Sequence, residues 1–128
     1  MINLLDKTDY FHAVFKIGIA EDQPHLIPQK ESSLRFDLMK EELEEYLEAC
    51  KNNDLVEIAD ALGDQLYILC GTILKHGLQH KIEEVFNEIH RSNMSKLDEN
   101  GEPIFRNDGK VLKSNLYFKP NIKDIING

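Results

Sequence analysis

The sequence has little of what membrane and secreted proteins need. No apolar run approaches the roughly 20 residues that cross a bilayer. The start, Met1-Ile2-Asn3-Leu4-Leu5-Asp6, lacks the basic opening and apolar core of a secretory signal. There are two cysteines in 128 residues, Cys50 and Cys70, with no CxxC pair. Both sit among apolar neighbours, so they read as free, buried thiols of a reducing cytoplasm. The five histidines form neither HExxH nor a Cys/His zinc spacing. Repeats and low-complexity linkers are absent too. Basic residues are also short, 15 Lys and Arg against 23 Asp and Glu, for a formal charge of −8. That balance excludes a binder of bulk duplex DNA, which needs a basic footprint. What remains is an ordinary globular chain, long enough for one domain that folds without disulfide or metal staples.

The negative charge is localised. Residues 81–128 hold eight acids and eight bases and cancel. Residues 37–64 hold ten acids, with Lys40 and Lys51 as the only bases, so this window alone equals the whole formal charge. Its place in the fold decides whether it is a solvated surface or a site.

The patterning is helical. Phe11, Val14, Phe15 and Gly18 predict a first helix over 8–19, and Pro24, Pro28 and two serines predict a loop over 21–33. Ser32 or Ser33 can N-cap a second helix running to about Lys51, with Phe36, Met39, Leu43, Tyr46, Leu47 and Cys50 as its apolar stripe. A second line on that helix starts apolar at Leu34 and Leu38 and becomes carboxylate at Glu41, Glu42 and Glu45. Asn52-Asn53-Asp54 predicts a tight turn, with Asp54 as N-cap and Glu57 three residues on. The third helix ends at His76-Gly77 and is apolar on nearly every side after Gln65, the mark of a central helix. A fourth helix covers about 79–94. Beyond it, Asn107-Asp108-Gly109 between Ile104-Phe105-Arg106 and Lys110-Val111-Leu112 predicts a small hairpin, and Pro120 to Ile126 a helical turn. The expected fold is all-α, a bundle of four to five helices in a single domain spanning 1–128. Its helical core covers about 8–96 and a C-terminal arm about 97–128.

Antiparallel helices joined by a tight turn set residues equidistant from the turn level with each other. With the turn centred on Asn52–Asn53, Glu45 stands level with Asp60, and Glu42 with Asp60 to Asp64. One groove can therefore collect Glu42, Glu45, Glu57, Asp60 and Asp64. Unneutralised, such a cluster repels itself. An all-oxygen set without His or Cys suits a hard cation, Mg²⁺ or Mn²⁺, whose remaining sites substrate phosphates can fill. Glu57 can also be explained by capping alone, and Glu44 and Glu48 by solvation. A di-iron bundle would need Glu-x-x-His pairs, which the predicted helices lack.

Glu41-Glu42-Leu43-Glu44-Glu45, followed by Glu57-Ile58-Ala59-Asp60-Ala61-Leu62-Gly63-Asp64, resembles the EExxE…ExxD signature of the MazG-like all-α nucleoside triphosphate pyrophosphohydrolases. Ala61 stands where many members have a glutamate, so either Glu57 with Asp60 forms the ExxD pair or Asp64 contributes. The runs His90-Arg91-Ser92-Asn93-Met94-Ser95-Lys96 and Asp108-Gly109-Lys110-Val111-Leu112-Lys113, with Asn115-Leu116-Tyr117-Phe118, are similar to a branch containing dUTP-hydrolysing, phosphoribosyl-ATP pyrophosphohydrolase-like members. The resemblance implies Mg²⁺-dependent hydrolysis of a nucleoside triphosphate to monophosphate and pyrophosphate, a nucleotide-pool sanitation activity, in a homodimer or homotetramer. It implies Glu41, Glu42 and Glu45 as catalytic carboxylates, Glu41 as a ligand or the base orienting the attacking water. Asn93 and Lys96 share a helix face, and with Lys110 and Lys113 they offer donors to a triphosphate, while Tyr117 or Phe118 can stack on a base. Rival readings are phosphoribosyl-ATP hydrolysis in histidine biosynthesis and a non-catalytic helical interaction protein.

Overall fold

Helix punctuation sets the architecture. The computed structural model describes residues 2–20 and 23–128. Four main helices, α1 (Ile2–Val14), α2 (Gln29–Lys51), α3 (Leu55–Lys75) and α4 (Ile82–Met94), precede a two-stranded hairpin, β1 (Ile104–Phe105) and β2 (Val111–Leu112), and a short α5 (Ile122–Asn127). The fold is all-α with a small C-terminal arm, and no helix among the described residues is long and apolar enough to cross a membrane.

Three helix starts differ from the sequence expectation, that of α4 by beginning at Ile82 instead of about 79. α1 begins earlier and ends at Val14, where Lys16 and Gly18 take positive φ and end the helical path. α2 begins at Gln29, ahead of the serines. Pro28, with φ −57° and ψ 147°, stands before its first turn, and the Glu31 and Ser32 amides donate to the Pro28 carbonyl. Ser32 Oγ donates to the Gln29 carbonyl at 3.0 Å instead of capping. Of the predicted loop, Glu21 and Asp22 lie outside the described residues. The α2–α3 turn is as expected: Asn53 takes φ 51°, and Asp54 Oδ1 accepts the Glu57 amide at 3.1 Å. Gly77, at φ 66°, follows the end of α3.

The chain forms two compact units, one ending at His80 and the other Lys81–Gly128. In the first, α1, α2 and α3 pack together, with Leu5, Thr8 and His12 of α1, Ala49 of α2 and Ala61, Cys70, Ile73 and Leu74 of α3 buried. Phe11 meets Tyr67 edge-on at 5.4 Å between ring centres. The buried seam of α2 runs through Arg35 and Ala49, with Leu38 and Glu42 half-buried between them. Half of the sequence's apolar stripe is turned elsewhere: Phe36 is 59% and Leu43 57% exposed, and Leu47 is exposed as well, while Met39, Tyr46 and Cys50 are half-buried. On α3, Leu62, Leu66 and Leu69 are also exposed. Packing within one chain does not consume these apolar faces.

In the second unit, β1 pairs antiparallel with β2, Ile104 opposite Leu112. Gly109 supplies the positive φ, 89°, of the turn. Ser92 Oγ donates to the Phe118 carbonyl at 2.8 Å, and Glu88 Oε2 accepts the Asn121 amide ahead of α5.

Candidate metal centre

α2 ends at Lys51 and α3 begins at Leu55, so the turn consumes three residues. The two helix ends are therefore symmetric about Asn53, half a residue later than the sequence reading places the centre. Each facing position on α3 moves one residue along. Gln65 Nε2 donates to the Glu42 carbonyl at 3.4 Å, and Arg35 Nε to Thr72 Oγ1 at 3.0 Å. Glu42 thus stands level with Asp64 and Gln65.

This register brings three carboxylates together. Glu42 and Glu45, one turn apart on α2, and Asp64 on α3 each present an oxygen, all within 4.8 Å of one another. Glu42 Oε2 is buried and has no hydrogen-bond partner. Its carboxyl is pushed up to about 7, first by burial, then by the close approach and charge of the Glu45 carboxyl, then by the charges of Asp64 and Glu41. Without a cation the cluster relieves its repulsion by holding a proton. A divalent cation relieves it better, and an oxygen-only set with an orphaned buried oxygen fits a hard ion.

The remaining acids of the window take other places. Glu41 is exposed beside the triad. Glu57 and Asp60 are exposed and lie outside it, Glu57 in the first turn of α3. Glu44 is solvated and lies 4.0 Å from Lys40, and Glu48 is exposed. In the second unit, Asn93 and Lys96 line one cavity of about 410 Å³ with Met94, Leu97, Pro103 and Val111. Lys110 sits at the hairpin, its amide donating to Asp108 Oδ1 at 3.1 Å. Lys113 Nζ lies 4.6 Å over the Tyr117 ring, and the Arg91 guanidinium 4.4 Å over Phe118. One face of each candidate stacking ring is thus already covered by a cation.

Sequence reasoning passed over Arg35 and Gln65, which tie α2 to α3 beside the triad. The available signal was Arg35, a cation in line with Leu38, Glu42 and Glu45 at helical spacing.

A family model described as phosphoribosyl-ATP pyrophosphohydrolase matches residues 8–93, which include the second half of α1, all of α2 and α3, and α4 up to Asn93. The chain belongs to this family. The family is part of the MazG-like all-α pyrophosphohydrolase superfamily, as the acidic motif implies. Among individual proteins, uncharacterized protein L479 of Acanthamoeba polyphaga mimivirus is 31% identical over 103 residues. That alignment covers 80% of this chain but 36% of the viral protein, so the chain spans about a third of the relative's length. The family match contains every member of the carboxylate triad together with Asn93, and ends before Lys96 and the arm.

Proposed function

We propose that the chain is a divalent-cation-dependent nucleotide pyrophosphohydrolase that cleaves a (deoxy)nucleoside triphosphate, dUTP among the candidates, to the monophosphate and pyrophosphate. The observation that carries this is the orphaned, buried Glu42 Oε2 within a triad of carboxylates. A purely structural seam would bury a paired or apolar group there. Glu42, Glu45 and Asp64 would hold Mg²⁺, or Mn²⁺ in its place, and Glu57 and Asp60, outside the triad, would be ligands of a further ion. Bound there, the ion supplies charge neutralisation for the phosphoryl group and a more acidic water. Glu41, exposed and outside the triad, is the carboxylate free to orient the attacking water and take its proton. Asn93 offers an amide and Lys96 an ammonium to phosphate oxygens, and Lys110, Lys113 and Tyr117 are further substrate contacts.

The family's description favours a second substrate, phosphoribosyl-ATP, which undergoes the same α–β anhydride cleavage with release of pyrophosphate. The chemistry read from the triad serves both. A substrate panel of dUTP, dCTP and phosphoribosyl-ATP with Mg²⁺, resolving pyrophosphate from orthophosphate, separates the readings. Turnover of dUTP to pyrophosphate supports the first and turnover of phosphoribosyl-ATP alone supports the second. Release of orthophosphate, or turnover untouched by Glu45→Gln, sinks both.

The exposed apolar faces of α2 and α3, Phe36, Leu43 and Leu47 with Leu62, Leu66 and Leu69, support assembly as a homodimer or homotetramer. Sedimentation at micromolar concentration tests this, and Leu43→Glu should shift the distribution to monomer.

A further inference from the structure

Arg35 is 8% exposed, and no ion pair among the described residues includes it. Its Nε donates to Thr72 Oγ1 at 3.0 Å and its Nη2 to the Ile68 carbonyl at 2.9 Å, both on α3. Thr72 Oγ1 in turn donates to that same carbonyl at 2.9 Å, so the acceptor is held in place. Burying a guanidinium against neutral acceptors is costly, and an apolar side chain of similar volume would fill the space as well or better. What the guanidinium adds is direction, because its planar fork matches two acceptors in one arrangement only.

The slot is built for it. A Cβ on Gly71 would lie 2.6 Å from Arg35 Nη2 and 2.7 Å from His12 Nε2, so α3 carries a mid-helix glycine where both side chains close on it. Such a glycine is less favourable in a helix than alanine. The Arg35–Thr72 contact and the Glu42–Gln65 contact are separated by seven residues on each helix, two turns along one seam. A slip of one residue would move a ligand by about 1.5 Å and turn it by about 100°. Metal–ligand distances tolerate only about 0.2 Å.

We propose that Arg35, seated over Gly71, is a positioning residue that sets the register of α2 on α3 and thereby the placing of Glu42 and Glu45 against Asp64. The proposal rests on the metal-centre reading above. It assigns to the buried cation a function two turns from the carboxylates it never touches.

The test is Mn²⁺ binding to the full chain, followed by the electron paramagnetic resonance of free Mn²⁺, alongside thermal melts of the metal-free protein. Arg35→Met keeps the volume and removes the fork. Its metal-free melting should stay close to wild type while its Mn²⁺ Kd rises about tenfold, the low end of what outer partners of a metal site contribute. Arg35→Lys should not rescue, since one ammonium cannot reproduce the fork. Thr72→Val keeps the cation and the shape but removes the oxygen accepting Nε, and should weaken Mn²⁺ several-fold. It carries the test should Arg35→Met not fold. Wild-type Mn²⁺ affinity in both variants overturns the positioning role and leaves the metal centre standing. A wild-type protein that binds no Mn²⁺ overturns both.

Discussion

The α2–α3 seam has two ends of opposite chemistry. At the end nearer the turn, Glu42, Glu45 and Asp64 set like charges within 4.8 Å, and Glu42 Oε2 has no partner. At the other end sit the cations. Arg35 has two oxygen acceptors on α3. Lys75 Nζ pairs with Glu31 at 3.0 Å and donates to the Ile17 carbonyl at 3.2 Å. His12 Nδ1 lies 3.0 Å from the Gly18 carbonyl. The cationic end is complete within the chain, whereas the acidic end lacks a counter-charge. Buried polar groups without partners cost free energy, so the incomplete end is where something else is expected to bind. Charge placed in one seam therefore has two meanings, distinguished by whether the partners are present.

The comparison can be broken most directly at the acidic end. Asp64→Asn should lower kcat on the order of 10³-fold, several kcal/mol of lost charge stabilisation, while leaving the metal-free protein as stable as wild type or more so. A melt and a turnover assay on one preparation check this, and a loss of metal-free stability would mean the triad is a structural tie and not a binding site. Mg²⁺ at about 100 times its Kd should stabilise the wild type by about 2.7 kcal/mol, read by urea unfolding and reversed by chelator. Gly71→Ala attacks the cationic end. Its Cβ meets the Arg35 and His12 side chains, and the expected cost is about 2 kcal/mol by urea unfolding, with part offset by alanine's better helix propensity.

The two ends should also respond to pH with opposite sign. His12, 2% exposed, is held below its ordinary pKa, first by burial, with the Gly18 carbonyl and Asp9 opposing and Arg35 and Lys75 reinforcing the shift. Its folded form binds the proton less tightly than its unfolded form. It therefore lowers stability as pH falls below about 6.5, the unfolded value, and has no such effect above it. Glu42 is raised from 4.5 to about 7, so its contribution is full below about 4.5 and is lost as pH rises through about 7. Urea midpoints measured from pH 4 to 8 should show the first slope removed by His12→Asn and the second by Glu42→Gln or saturating Mg²⁺. The smallest effect lies at the turn, which belongs to neither end. Asp54→Ala, losing the cap on the Glu57 amide, should cost about 1 kcal/mol and leave metal affinity unchanged.

Local rules made much of this legible. Asp54 as N-cap, Gly77 after α3, the hairpin about Asp108-Gly109 and the closing turn of helix near Ile122 all follow from short-range chemistry and are all present. The α2 start was misplaced because proline and serine both signal a helix start, and here the backbone of Pro28 wins. The α2 stripe was misread because hydrophobic periodicity reports which face is apolar, and not what covers it. Phe36 and Leu43 are periodic and exposed, while Arg35 is polar and buried.

By itself, the sequence determined four helices, the start and stop of the third, a tight turn and an acidic window shared by the two helices beside it. Those depend on dihedral preference and hydrophobic period, which are local. Only the tertiary structure decided that Glu42, Glu45 and Asp64 come together while Glu57 and Asp60 stand outside their cluster, and that Arg35 lies along the same seam. The reason is geometric. Residues on one helical face are equivalent by period, but the partner each one meets depends on the register across the seam. That register shifts by one residue for every residue the turn consumes.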